Sequence, residues 1–103
     1  MLQYDLNPDI DPYEMKDILS ELGFYEDQWG KMKKPIVIRG DEFDAIKTIE
    51  DENIAIIVRR NDSDDFVRVY KYKGEPHNHS VVELIDGTTY VQKLIEEGVV
   101  IDG

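Results

Sequence analysis

Both histidines of the chain, His77 and His79, stand one residue apart in the run Glu75-Pro-His-Asn-His-Ser80. On a strand, where successive side chains alternate between faces, that spacing aims two imidazoles the same way. A carboxylate from Glu75, Glu83 or Asp86 would then complete a metal site, as in a small metal-dependent hydrolase or a metal-binding domain. No motif fixes that third ligand, so an exposed polar turn ahead of a strand is the simpler account of the run, and no cofactor is expected.

Other catalytic templates are missing from the sequence. There is no glycine-rich phosphate loop and no Gly-x-Ser-x-Gly elbow. With no cysteine, thiolate chemistry, thiolate metal sites and disulfides are all excluded. The serines are Ser20, Ser63 and Ser80, and only Ser80 lies beside histidine. Sequence adjacency does not make a triad, which is defined by roles in space. The acidic run Asn61-Asp-Ser-Asp-Asp65 resembles the start of a calcium loop, but it lacks the glycine at position six and the glutamate at position twelve. A polar hairpin tip fits it better. These absences favour a binding protein over an enzyme.

The chemistry that is abundant is charge. Twenty-three acids against twelve bases give a net charge of −11. Such a chain repels nucleic acid and anionic membranes at long range and is drawn to basic protein surfaces. The charge is uneven: residues 1–30 carry −7, whereas residues 31–40 carry +4. In Gly23-Phe-Tyr-Glu-Asp-Gln-Trp-Gly30, aromatic and acidic residues share one segment, and Tyr and Trp are the residue types that anchor interfaces. The candidate contact residues are therefore Asp17, Glu21, Tyr25, Glu26, Asp27 and Trp29, joined by Asp62, Asp64 and Asp65 of the acidic run. The competing account has Phe24 and Trp29 covering the edge of the core and the acids merely solvated, with strand-borne Arg and Lys pairing locally with carboxylates.

The elements that must hold these residues are legible to differing degrees. One domain over residues 1–103 is expected from the length. Asp11-Pro12-Tyr13-Glu14 forms a capping box with proline at the first helical position. Met15, Ile18, Leu19 and Leu22 make an apolar stripe, and Gly23 stops the helix. A second capping box at Thr89–Gln92 opens a last helix, which Gly98 closes; a hairpin through Asp86-Gly87 is the alternative. A middle helix is expected from Asp41, with Phe43, Ile46 and Ile49 facing inward and an end near Asn53. Strands are expected at residues 35–39, 54–60, 66–73 and 80–85, with a short one at 99–101.

The expected fold is therefore α+β: a small, mostly antiparallel sheet of about four strands, with two to three helices on one face, in the order α-β-α-β-β-β-α. No apolar run reaches the ~18 residues of a membrane span, and the first residues lack a signal-peptide pattern, so a cytoplasmic location is expected. The function expected is that of an acidic protein-binding module. It would act as a stoichiometric inhibitor or regulator on the basic surface of a partner protein, such as one that binds nucleic acid, without touching nucleic acid itself. A structural or assembly component is the third reading.

Overall fold

A computed structural model describes residues 2–26, 43–60, 65–75 and 78–101, with the side chains of Glu26, Phe43, Asn78 and His79 outside that description. The elements along the chain are β1 (Asp5–Leu6), α1 (Pro12–Glu21), β2 (Tyr25–Glu26), β3 (Phe43–Ile49), a 3-10 turn (Glu50–Glu52), β4 (Ile54–Arg60), β5 (Phe66–Glu75), β6 (Asn78–Ile85), α2 (Gln92–Glu96) and β7 (Val100–Ile101). Among the described residues β2 to β6 form one antiparallel sheet in sequence order, and β1 pairs with β7 in a second. The class is α+β, as expected, but the order differs.

The middle helix is the main correction. Residues 43–49 pair with β4 through seven consecutive positions, from Phe43 opposite Arg60 to Ile49 opposite Ile54. Phe43, Ile46 and Ile49 do recur at helical spacing. Yet Ala45 and Ile46, adjacent in sequence, are both buried, which a strand covered on two faces produces. Ile46, Thr48 and Ile49 are β-branched and suit a pleated surface better than a helix. Asn53, where that helix was to end, instead takes a left-handed conformation at φ 54° that closes the turn into β4. The expected N-cap Asp41 and the expected strand at 35–39 lie outside the described residues.

Alternation along β4 sorts the sheet into two faces. Ile54, Ile56 and Val58 join Ala45, Val67 and Val69 on one face, and there they pack with Met15 and Leu19 of α1 and Val91 and Leu94 of α2. Ile57 points the other way and clusters with Ile46 and Phe66. Both helices therefore cover the same face.

The two helices end alike for the same reason. Gly23 and Gly98 take φ of 90° and 80°, a region costly for any residue with a Cβ. The next amides turn back, Phe24 donating to the Leu19 carbonyl and Val99 to that of Leu94, both at 2.9 Å. Their starts differ. Asp11 caps α1 through its carboxylate, which accepts from the Tyr13 amide. The capping box at Thr89–Gln92 is not made, and α2 opens at Val91 with no side-chain cap. Instead the Asp86 carboxylate accepts from the Thr88 amide at 3.1 Å and from its hydroxyl at 2.7 Å, forming the turn that feeds the helix.

Pairing between β5 and β6 begins only at Val69 and Ile85, leaving the first residues of β5 unpaired on that side. Tyr4 fills the gap: its amide and carbonyl both bond to Val67 at 2.9 Å. Its phenol then reaches Thr88 Oγ1 at 2.9 Å, tying the start of the chain to the turn before α2.

Candidate functional site

The outward face of α1 follows from its inward one. Once Met15 and Leu19 are buried, a period of 3.6 residues turns Tyr13, Glu14, Asp17 and Glu21 to solvent. Tyr13 is 61% exposed, the most exposed of the large hydrophobic and aromatic side chains described. It lies four residues before Asp17, directly beneath it on the helix surface. Among the described residues Asp17 and Glu21 have no ion-pair partner, and Lys16 is the one base on the helix.

The expected contact residues are only partly gathered here. Asp17 and Glu21 share the outer side of α1. Tyr25, 42% exposed, pairs with Ile46 and so stands on the sheet face that α1 does not cover. Glu26 pairs with Ala45, and its side chain lies outside the description. Asp65 is exposed at the start of β5. That end of the sheet carries Arg60, whose guanidinium donates to the Ile10 carbonyl just ahead of α1. Asp27, Trp29, Asp62 and Asp64 lie outside the described residues.

Tyr13 is the residue that sequence reading missed. The signal was present: it falls opposite Met15 and Leu19 on a helical wheel, surrounded by Asp9, Asp11, Glu14 and Asp17.

The sheet face opposite the helices has a different chemistry. Arg59 makes a bidentate pair with Asp44, Nε to Oδ1 at 2.7 Å and Nη2 to Oδ2 at 3.1 Å. Arg68 donates from Nε and Nη2 to the Gln3 side-chain oxygen at 3.0 and 2.7 Å. Its guanidinium carbon lies 3.9 Å from the centre of the Phe66 ring, with that of Arg59 at 5.7 Å. Both arginines thus hold intramolecular partners, Arg59 the Asp44 carboxylate and Arg68 the Gln3 amide oxygen. Two tyrosines elsewhere feel nearby acids. Burial pushes the Tyr72 phenol up from its ordinary range, and Glu50 and Glu75 add to the rise. The Tyr90 phenol is raised by its hydrogen bond to Glu52, then by burial.

For the histidine reading, the backbone of His79 lies in β6 opposite Gly74, whereas His77 lies outside the described residues. Among the described residues no three histidine, aspartate or glutamate side chains gather to hold a metal ion. Of the three carboxylates considered, Asp86 is engaged by Thr88 and Tyr4. No helix among the described residues is long and apolar enough to cross a membrane. Compared with protein-family models, with curated proteins and with solved structures, the chain matches none.

Proposed function

We propose that this chain is an acidic protein-binding module that acts stoichiometrically, as an inhibitor or regulator, by occupying a basic surface of a partner protein such as one that otherwise holds nucleic acid. The observation that carries this reading is the outer side of α1, where an exposed tyrosine stands among carboxylates.

Charge density supports it. Twenty-three acids over 6431 Å² put about three in the ~800 Å² of a standard interface. From Asp11 to Glu21 four acids fall within ~15 Å of helix axis, one per ~5 Å, against one phosphate per ~3.4 Å on each strand of duplex DNA. Tyr13 would supply what charge alone cannot, a rigid amphipathic anchor that a basic groove can desolvate.

The test is a titration against the partner recovered by affinity capture from lysate, at ~0.05 M and ~0.5 M NaCl. The affinity should fall more than tenfold at the higher salt, mainly through a slower association rate. Combining Glu14→Gln, Asp17→Asn and Glu21→Gln should cause a similar loss at low salt, while Tyr13→Ala should raise the dissociation rate. An affinity indifferent to both salt and the amide variants would overturn the reading.

A further inference from the structure

β6 closes the described sheet on one side and runs for eight residues, Asn78 to Ile85, with no described strand beyond it. Edge strands are usually protected by lysine, proline or clustered charge. Here Glu83 is the one formally charged residue, and proline is absent from the strand.

A register shift opposite Lys71 and Tyr72 leaves Val82 as the extra residue of a bulge. A bulge twists an edge, which is itself a form of protection, yet here it does not hide the valines. Val81 is 46% and Val82 57% exposed, and Ser80 and Glu83 beside them are exposed too.

We infer that β6 is a homotypic docking edge, on which a second copy of this chain adds its own β6 antiparallel across a two-fold axis. The chemistry of the strand selects that occupant. A basic partner finds one carboxylate on β6, far fewer than α1 offers, so the surface proposed above and this edge call for different partners. A two-fold axis between Val81 and Val82 sets the valines against each other and Glu83 against Ser80, so no like charges meet directly. The main chain supplies the remaining bonds, as in other strand additions.

Two magnitudes set the strength of the contact. An eight-residue edge ~27 Å long and ~10 Å thick presents roughly 270 Å², about a third of one side of a standard interface. Each copy also brings a net charge of −11, which opposes approach until salt screens it. The dimer is therefore weak and strengthens with salt, opposite in sign to the partner complex.

Sedimentation equilibrium on the full chain tests this, from ~10 μM to ~1 mM at ~0.05 and ~0.5 M NaCl. The apparent mass should climb from 12.0 kDa toward twice that value, and at lower concentration in the higher salt. Amide exchange across residues 78–85 should slow as concentration rises. The double variant Val81→Lys, Val82→Lys should stay at 12.0 kDa while unfolding as cooperatively as the parent, because both positions are exposed. A monomer under all conditions would overturn the inference. So would a double variant that associates like the parent, or β6 amides whose exchange ignores concentration.

Discussion

Gly87 is buried with no room for a side chain, and a Cβ built on it would overlap the Val69 side chain. Its carbonyl accepts from the amides of Tyr90 and Val91, so the turn into α2 is pressed directly onto the sheet. Gly87→Ala should therefore cost about 1–3 kcal/mol through overpacking, seen as a lower unfolding midpoint. Val69→Ala should cost stability too, by leaving a cavity. Together the two should cost less than their sum, by ~0.5–3 kcal/mol, since each relieves the defect of the other. Strict additivity would mean that the Val69 contact is not the reason for glycine. In sequence the same Asp86-Gly87 pair also suits a hairpin turn, the alternative to a helix that opens at Thr89. What decides between the two is the close approach to Val69, a contact eighteen residues away that no local pattern encodes.

The two helices form a natural experiment in capping. Asp11 accepts from the first turn of α1, so Asp11→Ala should lower stability by about 1 kcal/mol. Thr89 looks like the same kind of cap but makes no such bond, so Thr89→Ala should stay within about 0.5 kcal/mol. Urea titrations with an unchanged slope would measure both, and equal losses would mean that Thr89 caps after all. The pair also shows which features were legible in the sequence. α1 was readable from Asp11 to Gly23 because its cap, stripe and stop are all local. β4 was readable to the residue because Ile54–Val58 is a continuous apolar run bounded by a turn and two arginines. β3 was not, because Phe43, Ile46 and Ile49 satisfy a helical period, and only the pairing with β4 and the burial of Ala45 beside Ile46 reveal the strand. The same limit applies to the candidate site. Asp17 and Glu21 were legible as one helix side, but the separation of Tyr25 from them by the sheet is set by its register with Ile46.

For the molecule as a whole, the uncompensated charge that would draw in a basic partner also works against the fold. At ~0.01 M salt the screening length is ~30 Å, close to the 34 Å longest extent of the chain, so nearly every acid repels every other. At ~0.1 M the length falls to ~10 Å, and only neighbours such as Glu14, Asp17 and Glu21 still interact. The thermal midpoint should therefore rise between those salts, most steeply at the low end. The Val81→Lys, Val82→Lys variant at micromolar concentration is the form to use, because salt-promoted pairing of β6 would raise the midpoint for a different reason. Two added lysines should also make its rise slightly smaller than that of the dilute parent. A midpoint that ignores salt would mean that pairs of the kind Arg59 makes with Asp44 keep the remaining acids too far apart for their repulsion to weigh on the fold. The net charge of −11 would still draw in a basic partner, so the salt dependence of that complex should persist even then.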